Sequence, residues 1–214
     1  MKAVRRKSVP GRRREHGAAN SVLAGHLGGG LFLAGAAITL TAVALPHPPT
    51  VDAEGYLYLA GGQALLGLLL LGFGVTKRRA GAWLPTTTII GAIAAVTVAI
   101  YLNGERVGGP AVPNEFFYVW PAVYAGYFYS RRVIALVVLG IGFAYCGVSL
   151  SVGLPDATLV VRALITLSVV GGTAGFVHVL RLRVDTLLAR LNHLARTDSL
   201  TSLLNRRGFD ERAE

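Results

Sequence analysis

The chain has 214 residues, of which 53% are hydrophobic and only 15% are charged, and its mean hydropathy is +0.54. A soluble domain normally carries about 25% charged residues, so the composition excludes an ordinary soluble protein and favours membrane-spanning helices. The single cysteine, Cys146, excludes an intrachain disulfide and any site built from several cysteines. The net charge of +10 fits either a membrane topology signal or nucleic-acid binding, and the positions of the charges decide between them.

Six apolar segments follow a basic N-terminal arm, residues 1–21. They are Val22–Leu45, Tyr56–Thr76, Ala82–Leu102, Phe116–Tyr129, Val133–Leu154 and Leu159–Leu180. A transmembrane helix needs about 20 apolar residues, because each residue adds about 1.5 Å and the hydrocarbon core is about 30 Å thick. Five segments reach that length. The fourth does not, which predicts a short or partly re-entrant span.

The basic residues favour six spans with both termini in the cytoplasm. They cluster before the first segment and after the second, fourth and sixth, whereas the other three linkers contain only Arg106. Loops rich in Lys and Arg stay in the cytoplasm. Topology thus accounts for the net charge, and no nucleic-acid partner is needed. A cleaved signal peptide is the alternative for the first segment, although its apolar run is longer than the usual core of about 7–15 residues.

A few side chains within the spans are candidates for a sensing site. They are His26, Trp120, Tyr124, Arg162 and His178. Arg162 could anchor an anionic ligand, or it could reach the interface or pair with Asp156. His26 and His178 are expected at similar depth, where a histidine pair could bind haem or a metal or sense pH. Ordinary interhelical hydrogen bonding is the alternative for both.

The fourth segment, FFYVWPAVYAGYFY, is rich in aromatic residues. Trp120 and Tyr124, four residues apart, could share one face of a pocket beside a kink at Pro121. The alternative is that the aromatic side chains simply mark the membrane interface.

The sixth segment continues past its apolar part without a Gly or Pro break. Its apolar residues keep heptad spacing: Val177, Leu180, Val184, Leu187, Leu191 and Leu194. This pattern predicts a signalling helix over residues 181–197, paired with a second copy in a parallel coiled coil. An amphipathic helix lying on the inner leaflet, with its arginines toward lipid phosphates, is the alternative.

The residues after this helix read DSLTSLLNRRGF. They resemble the opening motif of the GGDEF domain of diguanylate cyclases, D-x-L-T-G-L-x-N-R-R-x-F, with Ser202 where the family usually has Gly. The matching positions are Asp198, Leu200, Thr201, Leu203, Asn205, Arg206, Arg207 and Phe209. The resemblance covers residues 198–214 only. It implies the start of a bacterial cytoplasmic α/β domain that condenses two GTP molecules into cyclic di-GMP with Mg²⁺, one GTP in each subunit of a dimer.

The rest of the GGDEF family's machinery does not occur in these 214 residues: the signature loop, the metal-binding carboxylates and the guanine-binding residues. We therefore expect no catalytic residue, Mg²⁺ site or GTP site here, and no activity from this chain alone. The predicted function is the transmembrane sensory and dimerisation region of a diguanylate cyclase in a bacterial inner membrane, with residues 22–180 as the sensor. The alternative is a membrane receptor or partner protein without enzymatic output.

Overall fold

The computed structural model describes residues 10–47, 51–75, 83–103, 114–153 and 156–194. Every regular element in these ranges is helical, as expected, and none is a strand. The elements are α1 (Pro10–Ala44), α2 (Ala53–Val75), α3 (Trp83–Leu102), a 3₁₀ helix (Asn114–Tyr118), α4 (Val119–Phe128), α5 (Arg131–Ser151) and α6 (Asp156–Leu194). Five of these helices, all except α4, are long and apolar enough to cross a membrane, as a multi-pass membrane protein requires.

The first and last helices are longer than their apolar segments. α1 begins at Pro10, twelve residues before Val22, so half of the basic arm is already helical. Proline suits the first position of a helix because its missing N–H would have no intrahelical partner there. α6 runs unbroken over 39 residues, about 58 Å at 1.5 Å per residue. It therefore exceeds the thickness of the hydrocarbon core by about half its length.

α1 and α2 form an antiparallel pair in which the two backbones approach closely. A Cβ atom on Gly29 would lie 2.7 Å from the carbonyl oxygen of Gly67, and one on Gly67 would lie 3.0 Å from that of Gly29. Only small residues permit this approach, as is common between membrane helices. Farther along the pair, the hydroxyl of Thr39 donates to Oε1 of Gln63 over 3.0 Å and joins the two helices.

Asp52 fixes the start of α2 beside the end of α3. Its backbone N–H donates to the carbonyl of Leu102, and its side chain accepts the N–H of Gly55. A carboxylate in this position satisfies one of the N–H groups that a helix leaves unpaired at its N-terminus. The loop between α1 and α2 is thereby tied to the end of α3.

The 3₁₀ helix and α4 together run along the bundle, antiparallel to α3. The side chain of Asn114 donates to the carbonyl of Ala99 near the end of α3, at 3.4 Å. At the other end, the hydroxyl groups of Tyr129 and Thr86 lie 3.0 Å apart, near the start of α3. The fifteen residues span about 25 Å, given about 2.0 Å per residue in a 3₁₀ helix and about 1.5 Å in an α-helix. The fourth segment is therefore short, as expected.

The kink expected at Pro121 stays a prediction, and the structure places this proline at the start of a helix. Pro121 lies in the first turn of α4, which directly follows the 3₁₀ helix that ends at Tyr118. The first turn of a helix has N–H groups without intrahelical partners, so a proline there removes no hydrogen bond. The sequence pattern does not distinguish a kinked helix from a helix that starts late.

The segment of residues 114–128 forms the centre of the core. Tyr118, Ala122 and Ala125 are fully buried, and Tyr124 is nearly so. The hydroxyl of Tyr118 lies 2.7 Å from that of Thr97 on α3, and its ring meets that of Tyr145 on α5 edge-on. A position at the membrane interface therefore does not account for Tyr118 and Tyr124, because they pack against other helices.

Candidate functional site

A cavity of about 390 Å³ lies between α1, α2, α3 and the segment of residues 114–124. Most of its lining is apolar, with Phe32, Ile38, Ile89 and Val96 among the larger side chains. It extends from Asn114, beside the start of α2 and the end of α3, toward Tyr124, whose hydroxyl bonds to Ala24 of α1. Its size lies within the range of about 300–1,000 Å³ that is typical of small-molecule sites.

Two groups of polar side chains interrupt this apolar lining. In the first, the hydroxyl of Tyr56 donates to the carbonyl of Ala99 over 3.0 Å, and the amide of Asn114 donates to the same hydroxyl over 3.1 Å. The second is the pair of Thr39 and Gln63. The first group links α2, α3 and the 3₁₀ helix, and the second links α1 and α2, so the polar atoms are held in place by the fold.

Both aromatic candidates of the fourth segment line this cavity. Trp120 is half exposed in the single chain, whereas Tyr124 is buried and donates its hydroxyl to the carbonyl of Ala24 over 3.1 Å. Pro121 lies between them in the lining. The structure thus places Trp120 and Tyr124 on one cavity wall, and their role in sensing stays a prediction.

The face of α4 opposite the cavity packs closely against α6. A Cβ atom on Gly126 would lie 2.6 Å from the carbonyl oxygen of Ala174 and 3.0 Å from Cβ of Val177. Packed interiors have few voids, so a movement of α4 at this point displaces α6. Val177, the first residue of the heptad pattern, therefore contacts α4, the helix that forms one wall of the cavity.

Arg181 joins the end of α4 to the point where α6 leaves the bundle. Its guanidinium donates to the carbonyl of Tyr127, lies 5.5 Å from the centre of the Tyr127 ring and pairs with Asp185 at 3.8 Å. The last carbonyls of a helix have no intrahelical partner and attract cations. Arg181 is not among the candidates predicted from the sequence; its position as the first basic residue after the sixth apolar segment is the signal that could have found it.

From Leu180 onward, the heptad residues lie on the surface of the chain. Leu180, Val184, Leu187 and Leu191 are 51%, 45%, 56% and 61% exposed. The side chain of Leu194 lies outside the described residues. Within the part of the chain that the structure describes, no element covers this stripe. A coiled coil would cover it, and pairing with a second copy stays a prediction.

Arg162 and the two histidines do not line the cavity. Arg162 pairs with Glu115 at 4.0 Å; the side chain of Asp156, the partner weighed from the sequence, is not described. His26 is exposed and hydrogen-bonds the carbonyl of Val22, while Nδ1 of His178 is buried without a hydrogen-bond partner among the described residues. The two histidines are therefore not bonded to each other. Within the described ranges, no group of three or more His, Cys, Asp or Glu side chains could hold a metal ion.

The GGDEF-like motif, Asp198 to Phe209, lies outside the described residues. The chain matches no known protein family, no curated protein and no solved structure. The resemblance to diguanylate cyclases therefore rests on residues 198–209 alone, and the geometry of the site rests on the cavity, α4 and α6.

Proposed function

We propose that this chain is the membrane-embedded sensory and dimerisation region of a diguanylate cyclase. The observation that carries the proposal is the course of α6. One unbroken helix begins in the bundle, packs on α4 and continues as an exposed apolar stripe toward the GGDEF-like motif. An input helix joined rigidly to an output domain can transmit rotation or sliding.

The proposed signal passes from the cavity through α4 to α6. Trp120 and Tyr124 lie on the cavity side of α4, and Gly126 lies on the α6 side. Arg181 holds the last turn of α4 to α6. Movement of α4 therefore changes the position of the stripe, which sets how two copies pair. Mg²⁺ and GTP would be bound by the catalytic domain of each copy, whose ligands are not among these residues.

The proposed topology has six crossing segments with both termini in the cytoplasm of a bacterial cell. The contacts of residues 114–129 with both ends of α3 support a crossing fourth segment. The charges support the orientation, because Asp52, Glu54 and Glu115 lie at one end of the bundle. Arg131, Arg132 and Arg181 lie at the other, and arginine-rich ends face the cytoplasm.

A chimera tests the dimerisation and output part of the proposal. Residues 1–197 are joined to the catalytic domain of an active diguanylate cyclase, and cyclic di-GMP is measured in cells. We expect more product than from the catalytic domain alone. Leu187→Glu with Leu191→Glu should remove the gain, because two carboxylates cannot be buried in a coiled-coil seam.

The matched control is Ala189→Glu, which lies on the opposite side of the helix from Leu187. It should leave the product level unchanged. Equal loss in both variants would contradict pairing through the stripe.

A transplant tests the motif itself. Residues 198–209 replace the opening motif of the same active cyclase, with Asp198→Ala in the transplant as the disrupted control. Retained activity that the Asp198→Ala variant loses supports the GGDEF assignment. An inactive but folded transplant contradicts it and, if the stripe still pairs, favours a receptor without enzymatic output.

A further inference from the structure

The cavity has the size and lining of a site for an apolar molecule. An apolar protein cavity of about 150 Å³ accommodates benzene, and this one is more than twice as large at about 390 Å³. None of the described lining residues is Asp, Glu, Lys or Arg, and the one histidine among them, His47, is exposed. A charged group placed there would lose its hydration without gaining an ionic partner, which is costly. The lining therefore selects against ions and charged head groups.

The polar atoms of the cavity provide a donor and an acceptor for a small uncharged head group. The oxygen of the Gln63 amide accepts a hydrogen bond from Thr39. The amide nitrogen of Gln63 has no hydrogen-bond partner among the described residues. The nitrogen of the Asn114 amide bonds to Tyr56 and Ala99, and its oxygen has no partner in the described ranges. A buried amide that keeps unused hydrogen-bonding capacity beside an open volume is suited to a polar ligand atom.

The nearest described ion pair does not supply charge to the cavity. Arg162 and Glu115 face each other and neither lines the volume. A phospholipid head group would therefore find no lysine or arginine among the described lining residues. The lining of the cavity therefore differs from that of a site for a phospholipid of the bilayer.

We propose that this cavity binds an uncharged, largely apolar molecule with one hydroxyl or carbonyl head, of the class of a long-chain alcohol. The apolar part occupies the space beside Phe32, Ile89 and Val96, and the head bonds to Gln63 or Asn114. Its contact with Trp120 and Tyr124 connects occupancy to α4. Only this last step rests on the proposed sensory function; binding itself does not.

Photolabelling tests the binding. The chain is reconstituted in phosphatidylcholine nanodiscs with a diazirine-bearing long-chain alcohol, irradiated and digested, and the labelled peptides are identified by mass spectrometry. We expect label on the peptide that contains Phe117 to Tyr124. Ala95→Phe fills the cavity and should abolish that label. Ala94→Phe, the adjacent residue, which is exposed and does not line the cavity, should leave it unchanged.

A second variant keeps the test informative if Ala95→Phe does not fold. Gln63→Leu preserves the side-chain volume, and Thr39 retains its hydrogen bond to the carbonyl of Gly35. We expect it to weaken competition by the unlabelled alcohol about five- to tenfold, the effect of one hydrogen bond. Competition by a hydrocarbon of equal length should not change.

Several results would overturn the proposal. Label confined to lipid-facing peptides, or label insensitive to both Ala95→Phe and Gln63→Leu, would exclude the cavity. Equal competition by a fatty acid or a lysophospholipid would assign it to an anionic or bilayer lipid. Specific binding that leaves the cyclic di-GMP output of the chimera unchanged would contradict the proposed sensory function, while the binding site would stand.

Discussion

α4 and the extension of α6 beyond Arg181 both carry apolar side chains, but these side chains lie in opposite environments. In α4, Ala122 and Ala125 are fully buried between neighbouring helices. In the extension, Leu187 and Leu191 are mostly exposed. One chain therefore buries these two residues of α4 by itself, but it leaves the leucines of the α6 extension uncovered. Large uncovered apolar surfaces mark sites of interaction with another protein or a membrane.

The boundary between the two regions lies at residues 177–181 of α6. Val177 packs against Gly126, and Arg181 bonds to Tyr127, after which α6 has no described neighbour. α6 therefore has two structurally different parts within one helix. Its first part is a component of the core, and its second part is a surface.

Disulfide crosslinking gives the largest expected difference between the two regions. In a Cys146→Ser background, Leu187→Cys should form covalent dimers in oxidised membranes, because the seam residues of a parallel coiled coil face each other. Ala189→Cys, on the opposite side of the same helix, should stay monomeric. Non-reducing electrophoresis measures both.

Two outcomes would contradict this prediction. Equal dimer yields at both positions would indicate random collision. If Leu187→Cys forms no dimer and is instead labelled by a lipid-soluble reagent, the extension lies on the inner leaflet.

Gly126→Ala tests the contact between α4 and α6. The added methyl group would meet the backbone of Ala174 at 2.6 Å, so one helix must shift. Overpacking of this kind costs about 1–3 kcal/mol. Gly140→Ala on α5 has open space around its Cβ position and should be neutral or stabilising by up to about 1 kcal/mol.

Thermal unfolding in detergent measures these two glycine variants. A destabilisation of Gly140→Ala equal to that of Gly126→Ala would show that the close approach of α4 to α6 is not the cause. In the chimera, Gly126→Ala should also change the cyclic di-GMP level.

Tyr118→Phe gives the smallest expected effect. It removes the hydrogen bond to Thr97, while the Thr97 hydroxyl keeps its bond to the carbonyl of Ile93. Interhelical hydrogen bonds in membrane proteins average about 0.6 kcal/mol, and we expect a loss of that size in the free energy of unfolding. Tyr58→Phe, at an exposed position bonded only to Glu54 among the described residues, is the control and should have no measurable effect.

Denaturant unfolding measures the two tyrosine variants. A loss of several kcal/mol for Tyr118→Phe would mean that the hydroxyl does more than bond to Thr97, for example that it also fixes the position of Tyr145.

Apolar segment length predicted the helices well because a hydrocarbon core imposes it directly. The ends of α2 and α3 lie within a few residues of the predicted segments. The start of α1 at Pro10 was not predicted, because the residues before Val22 are polar and a hydropathy pattern stops there. The kink predicted at Pro121 presumed a proline within a helix, whereas α4 begins only two residues earlier; the effect of a proline depends on where its helix begins.

The candidate residues divided according to whether their partners are distant in sequence. Trp120 and Tyr124 share a face because they lie one turn apart, which spacing alone predicts. The pairing of Arg162 with Glu115 and the bond from Arg181 to Tyr127 join residues about 50 positions apart. A single sequence carries no signal for such pairs.

The amino-acid sequence alone was enough to predict a helical membrane protein, charges concentrated in particular linkers and a helix α6 that extends beyond the sixth apolar segment. These features follow from composition and local periodicity, which act through each residue and its near neighbours. Three features were visible only in the tertiary structure: the fourth segment is the centre of the core, a cavity lies beside it, and Gly126 packs closely against α6. Those features depend on which distant side chains fill the space between helices, and packing has no counterpart in local sequence.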